Sequence, residues 1–340
     1  MKRIILLTLI IGLLAGCGFW NRDVLDENAV SPLPAAALLI DAAAIKEETA
    51  ALIRQAQSTL WLEQFIFDEP ELLALLIEKA AAGVNIHILL DRWQTANQKT
   101  VETLKNNNIS VQYYPAQKGQ YQRVRYMVAD SAAAIVYSSD WTARAPLIRR
   151  MAVKLDGRAA LKIARSFAAD WQSTTTLPLV LPTTEPAEDY VSLAEGAGVR
   201  QGVLNQINSA EREILVESIQ ISQEDVLNAL ISARQRGCAV RAILNPDAVT
   251  TTPNSLRRLL DAGVEARLYQ GGETAETIDY TFAVFDGRSL LFAPSAWSHA
   301  SFVINHETLL TIPAPACAEK MQEIFALDWE KSVPPPELPE

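Results

Sequence analysis

Hydrophobic and polar positions along this chain follow two periods that take turns. Leu60 to Phe67 (LWLEQFIF) and Val84 to Asp91 (VNIHILLD) are short apolar runs of the kind buried strands carry. Between them, Glu71 to Ala82 (ELLALLIEKAAA) repeats its apolar residues at helical spacing, with Asp68 as the expected cap and Gly83 as the terminator. An earlier helix is predicted over Ile45 to Ala56, a later one around Thr100 to Asn106, and a strand over Ile109 to Tyr114. Then comes Arg123 to Thr142: an apolar strand, a turn at Asp130, a second apolar strand, and a small-residue loop ending in Trp141. Strands alternating with helices of these lengths predict an α/β domain built in layers.

The same order then repeats. EILVESIQI matches LWLEQFIF with Glu217 on Glu63, the next helix ends with Gly237 on Gly83, and AVRAILN places Asn245 on Asp91, each pair 154 residues apart. Asp279 to Ser298 replays the strand, turn, strand and Trp loop, with Asp286 lying 156 after Asp130, and Trp329 lies 158 after Trp171. So slow a drift describes a duplicated unit with a few short insertions. The expected architecture is therefore α/β with two similar lobes, each a mixed β-sheet flanked by helices, related by a pseudo-twofold. Lobe 1 is expected over residues 36–172 and lobe 2 over 193–331. The Thr- and Pro-rich segment 173–192 reads as a linker, and the tail 332–340 (SVPPPELPE) as disordered.

Composition adds bounds. With 49% hydrophobic residues and 21% charged, 340 residues are enough for two well-filled cores. Thirty basic against forty acidic residues give a net charge of −10, which argues against a long nucleic-acid duplex as partner. At the amino terminus, Lys2-Arg3, an apolar run from Ile4 to Leu14, and Leu14-Ala15-Gly16-Cys17 read as a secretory signal ending in a bacterial lipobox. Cys17 is then the lipidation site, and residues 18–35 a polar tether. The expected location is the cell envelope, exported and lipid-anchored, with the membrane as a partner. Cys238, at the head of a buried strand, is expected to be a free core thiol rather than the partner of Cys317. The three His, at 87, 299 and 306, form no metal-type spacing with Cys, so neither a metal nor a cofactor is expected.

The duplicated strand, Asp, strand and loop unit resembles the phospholipase D superfamily, which includes phospholipases D, cardiolipin and phosphatidylserine synthases and some nucleases. The resemblance runs from about Leu38 to Lys331. It implies one H-x-K-x4-D motif per lobe, followed by GSxN and often N-x-E, the two copies meeting in one site between the lobes. It further implies one His attacking phosphorus, the other protonating the leaving alcohol, and the Lys pair holding phosphate oxygens. Here Arg123, Arg125 and Asp130 stand at the first motif's places, and Asp279, Thr281 and Asp286 at the second's. Tyr137-Ser138-Ser139-Asp140 and Ala293-Pro294-Ser295-Ala296 replace the two GSxN loops. N-x-E survives once, as Asn305-His306-Glu307, where lobe 1 has Arg149-Arg150-Met151.

The spacing is kept while the chemistry changes. A guanidinium stays charged near neutral pH and can neither attack nor give up a proton. Asp130 and Asp286 suit a turn between two strands whatever else they do. His87 reads as a core residue, whereas His299 and His306 follow the second motif and are the candidate substitutes for the missing His. Five guanidinium groups, Arg123, Arg125, Arg144, Arg149 and Arg150, surround the first motif. They form either a phosphate-binding patch or pairs with Asp140, Asp279 and Glu307. The expected ligand-binding set is Arg123, Arg125, Ser138, Asp140, Arg149, Asn305 and Glu307. Glu63 and Glu217, repeated at matched strand positions, are a carboxylate pair with either a structural or a catalytic use. The expected function is a catalytically degenerate, membrane-anchored protein binding a phosphate-bearing ligand or an envelope partner. The alternatives are a divergent phosphatidyltransferase or phosphodiesterase and, third, a solute-binding lipoprotein.

Overall fold

A computed structural model describes residues 32–142, 148–271, 277–293 and 295–338. The lipobox Cys17, the signal segment, Arg144 and Pro294 lie outside the described residues.

Lobe 1 opens with β1 (Leu38–Leu39) and α1 (Ala42–Gln55), whose first turn is capped by the Asp41 carboxylate accepting from the Ala44 amide at 2.8 Å. Ile45, Thr49, Leu52 and Ile53 recur at helical spacing and form the buried stripe of α1. Three parallel strands follow, β2 (Thr59–Gln64), β3 (Asn85–Asp91) and β4 (Ser110–Tyr114), joined through α2 (Pro70–Ala81) and α3 (Asn97–Asn106). The cap of α2 is Glu69, not Asp68, because Pro70 takes the first helical position and the Glu69 carboxylate reaches the Glu71 amide. Next come β5 (Tyr126–Ala129), β6 (Ala133–Tyr137), the short β7 (Ile148–Arg149), β8 (Ala152–Asp156) and the long α4 (Gly157–Thr175). The first sheet has seven strands in the order β1-β8-β6-β5-β2-β3-β4.

Lobe 2 contains β9 (Ser192–Glu195), α5 (Ala197–Ser209), β10 (Glu213–Ser218), α6 (Glu224–Gln235), β11 (Ala239–Leu244), α7 (Ala248–Thr251), α8 (Pro253–Asp261) and β12 (Glu265–Leu268). It continues with β13 (Thr277–Ile278), β14 (Thr281–Phe285), β15 (Ser289–Ala293), β16 (Thr308–Ile312) and α9 (Pro315–Lys331). Its sheet, β12-β11-β10-β14-β15-β16-β9, has the connectivity of the first. Gly83 and Gly237 end the matched helices with φ of +93° and +100°, a conformation glycine adopts without strain.

The cores show how the lobes join. Helices α1 to α3 cover the outer face of the first sheet, and α5, α6 and α8 that of the second. Between the sheets lie α4 and α9. Trp61 and Tyr126 of one sheet, Phe167 and Trp171 of α4, Phe282 and Phe292 of the other sheet, and Met321 and Phe325 of α9 make one apolar cluster. The sheets are thus fused through a common core, and β7 pairs in parallel with β13 across the junction. The matched Trp residues pack as expected of core and loop anchors. The Trp141 carbonyl accepts the amides of Asp68 and Glu69, and the Trp297 carbonyl those of Ser222 and Gln223. Among the described residues no helix is long and apolar enough to cross a membrane.

Two expectations are corrected here. The tail is not disordered from residue 332, since Val333 exchanges both backbone hydrogen bonds with Leu268, at 2.8 and 3.0 Å, and so covers the edge of β12. The expected linker is shortened because α4 runs on to Thr175 and β9 starts at Ser192. Cys238 and Cys317 are buried and free; Cys238 donates to the Ala210 carbonyl and Cys317 to that of Leu33.

Candidate functional site at the lobe interface

The two motif aspartates are structural. Asp130 and Asp286 hold φ of 52° and 54° at the β5–β6 and β14–β15 turns, a conformation Asp tolerates better than most side chains. The Asp130 carboxylate accepts three consecutive backbone amides, from Gln57, Ser58 and Thr59, each at 2.8 Å. Asp286 does the same for Glu211, Arg212 and Glu213 at 2.8–3.0 Å. Each ties the hairpin to the start of the first parallel strand of its lobe. Burial works against the Asp286 charge, but the three amides outweigh it and hold the carboxyl below its usual range.

The remaining motif residues meet in a cleft between the lobes. Arg125 is 1% exposed and its Nε donates to Asp140 at 2.6 Å. Burial opposes its charge, yet Asp140 and then Asp279 more than offset that and raise its pKa. Arg123 is half-buried, its guanidinium 4.7 Å above the Phe65 ring, and its Nε has no partner among the described residues. Burial and then the neighbouring Arg125 lower its pKa, against the pull of Glu307, Asp140 and Asp279. The carboxyls of Asp279 and Glu307 are raised by burial, with Arg125 and Arg123 drawing Asp279 back and Arg123 drawing Glu307 back. Asn305 donates to Glu307 at 3.3 Å and accepts the Tyr121 amide at 3.2 Å, linking the lobes at the rim.

Several expected members are engaged elsewhere. The Thr281 hydroxyl is fully buried and shares a 2.7 Å hydrogen bond with Ser218, so it cannot stand in for a phosphate-binding Lys. The Ser138 hydroxyl accepts the Met151 amide at 2.9 Å and braces the sheet instead of facing the cleft. Arg149 crosses to lobe 2, where it bonds Asp328, lies 3.5 Å from Glu217 and covers the Tyr269 ring. His299 is exposed. His306 turns its Nε2 to Asp170 at 2.8 Å and stacks on Tyr114, with centroids 4.6 Å apart. Among the described residues the expected basic patch comprises Arg123 and Arg125, with Arg150 also acting on Asp279, facing Asp140, Asp279 and Glu307, so these six carry a formal charge of 0 (3 − 3). Arg150, electrostatically coupled to Asp279, lines a cavity of about 40 Å³ beside Asp140.

Sequence reasoning missed a matched pair of polar clusters that pin the lobes together. In the first, Glu63 accepts from Tyr126 at 2.9 Å and from Gln122 at 3.0 Å, beside the His306–Asp170 pair. In the second, Glu217 accepts from Tyr280 at 3.3 Å, beside Arg149 and Asp328. Glu217, Tyr280, Tyr269 and Asp328 follow Glu63, Tyr126, Tyr114 and Asp170 by 154, 154, 155 and 158 residues. Only the repeated Glu signalled this in the sequence, because the cation of each cluster arrives from the opposite lobe. Ligand atoms of Glu63, Asp170 and His306 lie within 4.8 Å of one another, as a metal site would require. Tyr126 and Gln122 donate to Glu63 and His306 bonds Asp170, so each of the three already has a hydrogen-bond partner. His87, edge-on to Trp171 at 4.5 Å, has its pKa lowered by burial and is a packing residue.

Fold and cleft together define a class: a duplicated α/β chain whose two half-sites close one cleft at the interface of the fused lobes. The chain belongs to the family described as cardiolipin synthase, phospholipase D-like domain, whose model matches residues 50–171 and 203–329. It is similar to cardiolipin synthase A of Pseudomonas entomophila, 25% identical over 332 residues, covering 87% of this chain and 68% of that one. A mitochondrial cardiolipin hydrolase of Chlamydomonas reinhardtii is 24% identical over 127 residues, covering 37% of this chain and 56% of the relative. Among solved structures, phosphatidylserine synthase of Haemophilus influenzae superposes with a TM-score of 0.67 at 13% identity, covering 92% of each chain. Polyphosphate kinase of Porphyromonas gingivalis superposes with a TM-score of 0.65 at 12% identity, over 87% of this chain and 49% of that one. These structures share the fold.

Proposed function

We propose that this protein is a phospholipase D superfamily member without phosphohistidine chemistry, whose cleft holds a phosphate-bearing ligand, a phospholipid headgroup in particular, beside a membrane to which Cys17 anchors it. The observation that carries this reading is Arg123. Its guanidinium lies over Phe65 at the cleft, and its Nε lacks a partner among the described residues, while Arg125 is bonded to Asp140. A guanidinium fork of this kind binds phosphate oxygens in pairs. Degeneracy is supported by the lack of any imidazole at the motif places and by the commitment of Thr281 to Ser218. Asp279 is the remaining group able to attack phosphorus, yet its own lobe offers no cation at the Lys place, where Thr281 stands bonded to Ser218.

A second reading, a divergent phosphatidyltransferase, is favoured by the family description and by the names of the relatives. One experiment separates the two. The full chain is titrated with dihexanoyl-phosphatidylglycerol and, separately, with inorganic phosphate by ³¹P NMR, then incubated with phosphatidylglycerol vesicles and the products read by mass spectrometry. The headgroup reading expects binding weakened by Arg123→Ala and no new phospholipid. Formation of cardiolipin or phosphatidic acid that is lost in Asp279→Asn overturns it in favour of the second.

A further inference from the structure

Four large apolar side chains stand exposed around the mouth of this cleft. Val303 and Ile304, 59% and 40% exposed, form the end of a helical turn (Ala300–Ile304) that leads into Asn305. Asn305 accepts the amide of Tyr121, which is 38% exposed and packs edge-on against Phe65, the ring beneath Arg123. Tyr121 ends the loop whose Gln117 carbonyl accepts the indole N–H of Trp93, itself 42% exposed. Arg92 covers the Trp93 ring at 5.6 Å, and Lys118 is exposed on the same loop. A continuous set of contacts thus runs from lobe 2 to lobe 1 along one rim.

We infer that this rim is an interfacial anchor that lays the cleft mouth against an anionic phospholipid bilayer. Trp and Tyr are the side chains that settle at the headgroup level, with an apolar body in the acyl boundary and a polar tip in water. Val303 and Ile304 supply aliphatic surface that water solvates poorly, and Arg92 and Lys118 supply the charge an anionic leaflet attracts. The rim is continuous with the cleft through Phe65 and Asn305, so docking brings headgroups to Arg123. Fourteen residues separate Cys17 from Pro32. Extended, they span up to about 50 Å, enough for an anchored body of this size to turn any face to the bilayer. The inference rests on the headgroup reading for what the cleft holds, but the rim is tested separately.

The full chain is reconstituted into vesicles of phosphatidylcholine and phosphatidylglycerol brominated on their acyl chains, and tryptophan quenching is measured. The reference chain carries Trp20→Phe, which removes the indole three residues from Cys17, and Trp329→Phe, which removes a half-buried one; Trp61, Trp141, Trp171 and Trp297 are buried, so in it Trp93 should contribute a large part of the quenchable emission. Trp93→Phe is expected to reduce quenching by about twofold, and Val303→Ser with Ile304→Ser to reduce it comparably by loosening the rim. Quenching unchanged in both overturns the inference. Titration of the same variants with dihexanoyl-phosphatidylglycerol separates the two ideas. Rim variants should bind it as the unmodified chain does. Loss of that binding in them would mean they damage the cleft and would overturn the rim's separate role. If Arg123→Ala binds it normally, the headgroup reading fails while the quenching result still judges the rim.

Discussion

The two polar clusters that pin the lobes are built alike but carry different cations, and that difference predicts a pH-dependent stability. His306 enters the first cluster between Asp170 of α4, Glu63 of β2, Glu195 of β9 and the ring of Tyr114. Burial alone would lower its pKa, but the Asp170 hydrogen bond and charge, then Glu63 and Glu195, outweigh that and raise it to about 9. The unfolded value is about 6.5, and a difference of about 2.5 pH units corresponds to about 3 kcal/mol of stability. Because the folded pKa lies above the unfolded one, that stability is fully present below about pH 6.5 and is lost as pH rises through about 9. The check is urea unfolding of the unmodified chain and His306→Gln between pH 6 and 10. At pH 6 the variant should be less stable by about 3 kcal/mol, and the gap should close toward pH 10. In the second cluster burial opposes the Arg149 charge, but Tyr280, Glu217 and Asp328 keep it protonated throughout. The cost of Arg149→Gln should therefore show no such loss over the same range. A His306→Gln gap of constant size from pH 6 to 10 would refute the reasoning.

Asp130→Ala and Asp286→Ala each strip three backbone amides of their acceptor and should each cost about 3 kcal/mol in denaturant unfolding. The Asp286 contribution, from a carboxyl held below its usual value, should persist above about pH 4 and fade as the acid range is entered. Arg123→Ala should weaken dihexanoyl-phosphatidylglycerol binding about tenfold by ³¹P NMR, close to 1.4 kcal/mol. Phe167→Ala should cost about 3–5 kcal/mol in the same unfolding assay, since that ring stacks on Trp61 at 5.6 Å and Trp171 at 6.0 Å in the shared core.

Much of the fold was legible because duplication prints each landmark twice. Glu63 and Glu217, Gly83 and Gly237, and Asp130 and Asp286 keep their spacing because each serves a local need: a strand position, a helix end or a turn. The cleft was legible only in outline. Motif spacing brings Arg123, Arg125, Asp279 and Glu307 together, as the mutual electrostatics of these groups show. Where the side chains go next depends on how the lobes dock, and no periodicity encodes that. Arg149 shares a short strand with Ile148, yet its partner Asp328 is 179 residues away, and His306 meets Asp170 across 136. Ser138 sits where the resembled motif has its Ser, but the hydroxyl is spent within its own lobe on Met151. The tail looked disordered from its prolines, while Val333 answers an edge strand that the tail's own composition does not reveal.

The departures from the motif are not independent of one another. Arg125 stands at a Lys place, and its own lobe supplies Asp140 at an Asn place, so the larger cation comes with a carboxylate that fixes it at 2.6 Å. In lobe 2 the His and Lys places hold Asp279 and Thr281, and the lost cation leaves Asp279 to draw on Arg125 and Arg123 from the opposite lobe. Thr281 in turn satisfies Ser218, whose counterpart in lobe 1 is Gln64. A single reversion would therefore break a pair and leave a buried charge without compensation, which costs more than the reverted group regains. Asp279→His, for example, would place an imidazole beside two guanidinium groups that disfavour its protonation, while Thr281 offers no cation to hold phosphate. Restoring the H-x-K-x4-D residues would therefore require both half-sites to change together. On the proposed reading, a cleft adjusted in this way, with Asp279 balanced from across the interface and the Arg123 Nε without a partner among the described residues, is organised for holding an anion more readily than for attacking phosphorus.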